Sequence, residues 1–295
     1  MVSEERPPLM RPIDKIFLGY FIVLSFILAL RLGQFPEGKI FLWGHVVLII
    51  LFYSFLALSR RTKSKFVFFL RQWYPVLFYT MMYEEIGKLN HIIFPHFLDP
   101  YIIEVEKWLF AGHMPALELQ PMFSHPIIKE IMYFAYFSYF LLPFFVAGTI
   151  YMRRLYREFA DAIFTVSLTF YFCYLFFIIF PVASPRFIFD TASTTASTGF
   201  FPRLVHNILA NAEIKGGAFP SSHVAIAALV LIFTYKYVKK ARIPVTIMVI
   251  LLAISTVYGH FHYAVDVFAG IIVAVVFYFI APKIRKLLGG ESWIR

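Results

Sequence analysis

The sequence predicts an all-α protein, a polytopic transmembrane helical bundle of about eight spans. Three observations predict it. First, 60% of the 295 residues are hydrophobic and only 15% are charged, with a mean hydropathy of +0.75; a water-facing surface needs about a quarter of its residues charged. Second, apolar runs recur at the length of about 20 residues that a bilayer requires. Third, basic clusters follow every second run, as a chain threading back and forth requires.

Six runs are clear, beginning near Ile16, Ile40, Ile131, Ile163, Ile243 and Tyr263. A seventh, from His223 to Tyr237, is shorter. The last to be identified, third in chain order, runs from about Trp73 to Ile92 and is interrupted by Glu84, Glu85 and Lys88. Arg60, Arg61, Lys63 and Lys65 follow the second run, and Arg153, Arg154 and Arg157 the fourth. Lys236, Lys239, Lys240 and Arg242 follow the sixth, and Lys283, Arg285 and Lys286 the eighth. With eight spans, all four clusters share one side, which places both termini in the cytoplasm by the positive-inside rule. Without the Trp73–Ile92 span, the first cluster would oppose the other three.

The formal charge of +10 would suggest nucleic acid on a soluble domain. Here it resolves into these loop clusters, and no nucleic-acid partner is expected. Glu4 and Glu5 precede the first run and no small-x-small site follows it, so that run reads as a retained span. The single cysteine, Cys173, allows no intrachain disulfide and reads as an apolar filler. Residues 1–65 read as a two-span extension and residues 66–295 as the core.

Two longer segments face the other side. The first, about His91 to Pro126, has apolar residues from Ile102 to Phe110 that suggest a short interfacial helix. The second, about Pro181 to Pro220, holds a Ser/Thr tract, Thr191–Thr198, that suits a lid or a plain linker.

Two stretches carry chemistry. In Phe219-Pro220-Ser221-Ser222-His223, Pro220 stops the loop, and Ser221 or Ser222 caps the next helix. His223 then sits beside unpaired N–H groups at a helix start, where anions bind. The bland reading is an ordinary cap with an interfacial histidine. In Tyr258-Gly259-His260-Phe261-His262-Tyr263-Ala264-Val265-Asp266, His262 and Asp266 are four apart and share a helix face. Asp266 can hold one imidazole proton and leave the other nitrogen nucleophilic. The bland reading is a pair that only joins two helices. The topology brings His223 and His262 to the same side and depth, a constellation suited to phosphoryl transfer. Arg186 offers a cation for phosphate, with Arg203 and Lys215 as weaker candidates. Glu84 and Lys88 suit an i,i+4 salt bridge; a head-group or acceptor site is the sharper alternative.

These residues resemble the type 2 phosphatidic acid phosphatase superfamily. Pro220-Ser221-Ser222-His223 is similar to its Pro-Ser-Gly-His motif, and Ser255 through Asp266 to its third motif. The resemblance covers the third to eighth spans and implies a six-helix phosphatase-like core after two added spans. It implies a phosphohistidine at His262, Asp266 as its partner, His223 as general acid, and Ser221 as the serine of the second motif, while Ser222 stands where the family has Gly. Thr256 stands where the family has Arg, and only Ser184-Pro185-Arg186 occupies the place of the first motif. Thr256, Tyr258 and the His-Tyr-x-Val-Asp pattern instead resemble the inositol phosphorylceramide synthase branch, which moves a phosphorylated head group between lipids. Arg186, Ser221, Ser222, Thr256 and Tyr258 are thus the expected substrate-binding residues.

The expected function is phosphoester transfer on a membrane lipid outside the cytoplasm, with a polyol, a lipid or water as acceptor. No cofactor and no metal are expected. One rival is a membrane metallohydrolase ligating through His223, His260, His262 and Asp266. Another is a transporter or scaffold in which Glu84, Glu85 and Asp266 bind ions.

Overall fold

The computed structural model describes residues 9–189, 199–212 and 214–289. The expected lid tract, Thr191–Thr198, lies outside the described residues.

Thirteen α-helices follow one another among the described residues. They are α1 (Pro12–Arg31), α2 (Gly38–Arg61), α3 (Lys65–Leu89), α4 (Asp99–Leu109), α5 (Pro115–Met122), α6 (Pro126–Phe137) and α7 (Leu142–Met152). Then come α8 (Tyr156–Ile179), α9 (Pro185–Ile188), α10 (Phe200–Ala212), α11 (Ser222–Tyr237), α12 (Arg242–Tyr258) and α13 (Ala264–Leu287). One isolated bridge joins Val182 to Gly217. In a bilayer each helix satisfies its own backbone, which is why this architecture suits so apolar a chain.

All eight expected spans are helical, and they differ in kind. α1, α2, α8, α12 and α13 are long and apolar enough to cross a membrane alone. The expected fourth span is a pair, α6 and α7, bent by 43°. The break falls at Leu141, just before Pro143, whose ring cannot continue a hydrogen-bonded helix from α6. α3 has 25 residues but is more polar, and α11 has only 16.

α8 is the central post. It packs against α1, α3, α7, α11 and α13, and most of its residues are buried. The N-terminal helices are fixed to this core by polar ties. Asp14 of α1 accepts from Arg71 Nη2 at 3.1 Å and from the Tyr74 hydroxyl at 2.8 Å. His45 of α2 donates from Nε2 to Glu85 of α3 at 2.7 Å, so its Nδ1 accepts the Ser25 hydroxyl of α1 at 2.7 Å. Buried polar groups in an apolar medium need such partners. No ion pair joins Glu84 to Lys88; both are exposed, and Glu85 turns inward to His45.

The basic clusters gather at one end. Lys15 of α1 reaches the Leu288 carbonyl beyond α13 at 2.9 Å. Arg153 after α7 reaches the Tyr237 carbonyl of α11 at 3.0 Å, and Arg285 of α13 pairs with Asp161 of α8. The starts of α11 and α13 therefore lie at the opposite end. They meet closely there: the Ser221 N–H donates to the Asp266 carbonyl at 3.0 Å. A Cβ on Gly270 would stand 2.5 Å from the Ser221 carbonyl oxygen. Glycine is required because backbone lies where a side chain would begin.

Gly270→Ala should push α13 off α11. The expected cost is about 1–3 kcal/mol, read as a lower unfolding temperature in detergent; an unchanged temperature would show that the two helices do not approach so closely.

Candidate active site

Four chain segments converge at the end of the bundle away from the basic clusters: residues 182–186, 216–223, 256–263 and the start of α13. Each is held by backbone. The Ala218 N–H donates to the Val182 carbonyl at 3.0 Å, and the Arg186 N–H to the His260 carbonyl at 3.1 Å. The N–H groups of Phe261 and His262 both donate to the Thr256 carbonyl at 3.0 Å. Ser221 is the N-cap of α11, accepting from the Val224 N–H at 3.3 Å.

These segments bring His262 and His223 together. His262 Nδ1 lies 2.8 Å from the Ala218 carbonyl oxygen and 3.3 Å from Asp266 Oδ2. A carbonyl can only accept, so Nδ1 carries the proton and Nε2 holds the lone pair. His262 Nε2 stands 3.3 Å from His223 Nδ1. His223 Nδ1–H is therefore the donor, and its Nε2 faces the Tyr136 hydroxyl at 3.4 Å. The chain Tyr136, His223, His262 thus runs in one direction and ends on Ala218 and Asp266. His262 is 3% exposed. Burial pushes its imidazole down to about 4, opposed by the hydrogen bond to Ala218.

The sequence reading gave the proton of His262 to Asp266. The structure adds the Ala218 carbonyl as the nearer acceptor. Asp266 also accepts from the Tyr263 N–H at 2.8 Å, so one carboxylate oxygen fixes both the imidazole and the start of α13.

The other expected residues divide. Ser222, 3% exposed, lines the same cavity as the two histidines. Arg186 does not line it; its guanidinium lies over the rings of Phe187 and Phe261, 5.1 and 5.6 Å from their centres. Thr256 and Tyr258 also stand away from the cavity. The Thr256 hydroxyl donates to the Ala253 carbonyl at 2.7 Å and the Tyr258 hydroxyl to the Phe123 carbonyl at 2.9 Å. His260 does not join the histidine pair: its ring is held by the Ala116 carbonyl and by Gln120 Oε1. Among the described residues, no three His, Cys, Asp or Glu side chains cluster as metal ligands.

Three residues were missed. Asp99, fully buried at the start of α4, accepts from the Ala183 N–H at 2.7 Å, the Ser184 N–H at 3.2 Å and the Tyr263 hydroxyl at 2.9 Å. Glu106, two turns on, accepts from the Ala264 and Val265 N–H groups at 3.2 and 3.0 Å. It is thus the carboxylate that the N-terminus of α13 favours. Asp99, Ile102 and Glu106 share one helix face, a spacing readable in the sequence. The third is Ser184, with φ of +111°. Its Oγ is buried, lines the histidine cavity, and has no hydrogen-bond partner among the described residues. A strained backbone beside a buried, unpartnered hydroxyl is a combination that clusters at ligand sites.

The cavity measures about 240 Å³ and runs from the histidines into the bundle among largely apolar walls. An all-helical membrane bundle with a buried histidine pair at a helix start defines a class of integral membrane protein. Residues 100–280 match the family model described as PAP2 superfamily. That is more than half of the chain, and the chain belongs to this superfamily. It is similar to a PA-phosphatase related-family protein of Dictyostelium discoideum, 38% identical over 104 residues. That alignment covers 33% of this chain and 19% of the relative, so the chain spans about a fifth of its length. No solved structure matches.

Asp99→Asn would replace one carboxylate oxygen with an NH2 group, set either against the Ala183 N–H or against the Ser184 N–H and the Tyr263 hydroxyl. Each donor left unpaired costs about 1–3 kcal/mol. We expect a lower unfolding temperature and reduced turnover; no change in either would show that Asp99 does not hold the 183–184 turn.

Proposed function

We propose that this protein is an integral membrane phosphoester-transfer enzyme acting on a lipid phosphate or phospholipid head group, and that His262 is its nucleophile. One observation carries the reading. His262 presents an unprotonated Nε2, oriented by Ala218 and Asp266, to the Nδ1–H of His223 at 3.3 Å. A nucleophile with its acid partner already in register is what a two-step transfer requires.

The steps balance as follows. The Nε2 lone pair attacks phosphorus. The bond from phosphorus to the leaving oxygen breaks, and that oxygen takes the Nδ1 proton of His223, which enters this step as the imidazolium favoured by the bound phosphate's negative charge and leaves it neutral with its remaining proton on Nε2. In the second step His223 Nδ1 removes the proton of an acceptor hydroxyl. The acceptor oxygen attacks phosphorus, and the phosphorus–nitrogen bond breaks to restore His262. The hydroxyls of Ser184 and Ser222 and the first-turn N–H groups of α11 suit the phosphate oxygens. Arg186, carried by the turn that bonds to His260 and lying over the Phe261 ring, is the candidate cation for the phosphate. Thr256 and Tyr258 act by holding the loop of His262. No step needs a metal ion.

The basic clusters at the far end support a cytoplasmic position for both termini and an outward-facing site. α1 and α2 form an N-terminal extension to the phosphotransfer core. The resemblance of the Thr256–Asp266 stretch to the inositol phosphorylceramide synthase branch favours a polyol or lipid hydroxyl as acceptor. Transfer to water, giving a lipid phosphate phosphatase, is the second reading, supported by the name of the Dictyostelium relative.

Purified protein given labelled phospholipids, with and without inositol or diacylglycerol, should make a new lipid; free phosphate alone would establish the phosphatase reading. His262→Ala and His223→Ala should each abolish turnover while the protein still inserts and folds. Undiminished turnover in His262→Ala would overturn the mechanism.

The pH dependence has a definite sign. His262 attacks only when unprotonated, and its folded value of about 4 lies below the ordinary 6.5. Nucleophile is therefore lost only as pH falls through about 4. With a phosphodiester substrate, which does not titrate there, the acid limb of kcat/KM should fall below pH ~5. A limb at pH ~6.5, the value of an unperturbed histidine, would contradict it.

A further inference from the structure

The cavity at His223 and His262 continues between α3, α7, α8 and α11. Three helices give its depth independently. On α8 its lining spans Tyr174 to Ala162, which is about 18 Å at 1.5 Å per residue. On α11 it spans Ser222 to Phe233, about 17 Å, and on α3 Tyr83 to Trp73, about 15 Å. One leaflet of a bilayer has a hydrocarbon depth of about 15 Å.

The walls change along this length. Near the histidines they carry the phenols of Tyr83, Tyr136, Tyr139 and Tyr174. Deeper they are Val146, Ala147, Ile150, Ala162 and Val166. The far end is closed by three rings packed edge-on or tilted against one another. Trp73 lies 5.7 Å from Tyr151 and 4.9 Å from Phe159, and these two lie 5.1 Å apart. Ala147 is one turn from Tyr151, and Ala162 one turn from Phe159, so both alanines stand directly above this plug.

We propose that the cavity encloses one linear hydrocarbon chain of the substrate, and that Ala147 and Ala162, above the Trp73–Tyr151–Phe159 plug, set the longest chain accepted. This rests on the phosphoester reading of the histidine pair. The phenols face the polar linkage next to the phosphate, and the apolar floor takes the chain end. The substrate is an amphiphile with a phosphate ester at one end and at least one unbranched chain about one leaflet long. A second chain, where present, lies outside the cavity.

Ala162→Phe and Ala147→Phe should lower kcat/KM for long-chain phosphate esters roughly 10-fold or more, while short-chain esters are turned over as before. Ala162→Leu, a smaller intrusion, should give an intermediate cut-off if the larger variants fold poorly. An equal loss at every chain length in a folded variant, or no change at any, overturns the proposal. A second readout does not need turnover. A long-chain alkyl phosphonate with a diazirine at its chain end should label residues at the plug on α3, α7 or α8. Labelling confined to lipid-facing residues, or none, overturns the proposal. In His262→Ala the plug should still be labelled. Turnover lost with labelling kept supports both readings; turnover kept with the plug labelled sinks the histidine chemistry and leaves the chain site standing.

Discussion

The structure depends on one joint, where the starts of α11 and α13 meet around Ala218, Asp266 and His262. The Ser221 N–H donates to the Asp266 carbonyl, and His262 Nδ1 donates to the Ala218 carbonyl just before α11. Asp266 Oδ2 faces the same nitrogen and also receives the Tyr263 N–H. The backbone that positions His223 is thus the backbone that selects the tautomer of His262. Gly270 permits this closeness by having no side chain. A buried imidazole without such partners would have no fixed tautomer and no fixed aim.

A second layer holds the joint in place. α4 lies beneath it with two buried carboxylates. Asp99 gathers the 183–184 turn and Tyr263, and Glu106 takes the first N–H groups of α13. Acidic groups buried this deeply are costly unless each oxygen is hydrogen-bonded. Here they bond to backbone N–H groups and the Tyr263 hydroxyl, which also organises the loops that carry the two histidines. α4 combines this buried face with exposed Tyr101, Val105 and Trp108, side chains suited to a membrane interface. Joint and interface are thus linked through one short helix.

Much of this was legible in the sequence, and the reasons are physical. Long apolar runs make helices wherever a bilayer leaves no other option, so α1, α2, α8, α12 and α13 could be read directly. Ser221 as N-cap, and the meeting of His223 with His262 and Asp266, followed from capping chemistry, spacing and the alternation of spans. The break between α6 and α7 was not read, although Pro143 marks it. α10 was not read because its apolar residues, Phe201, Val205 and Leu209, repeat over only three turns beside the Ser/Thr tract. Asp99 and Glu106 were not legible as site residues because α4 buries these two acidic side chains and exposes apolar ones, the reverse of an ordinary amphipathic pattern. Thr256 and Tyr258 were expected at substrate from their places in a motif, and the structure gives their hydroxyls to backbone carbonyls instead. Contacts between a side chain and a distant carbonyl, such as His262 with Ala218, leave no trace in residue identity.

The tautomer of His262 is the central claim, and it predicts which ring nitrogen carries phosphate. The direct measurement is rapid acid-free quenching of the protein during turnover, followed by phosphopeptide mapping and phosphorus NMR of the trapped species. The account predicts phosphate on His262 at Nε2, with none accumulating in His262→Ala. Phosphate on His262 at Nδ1, or on His223, would contradict it.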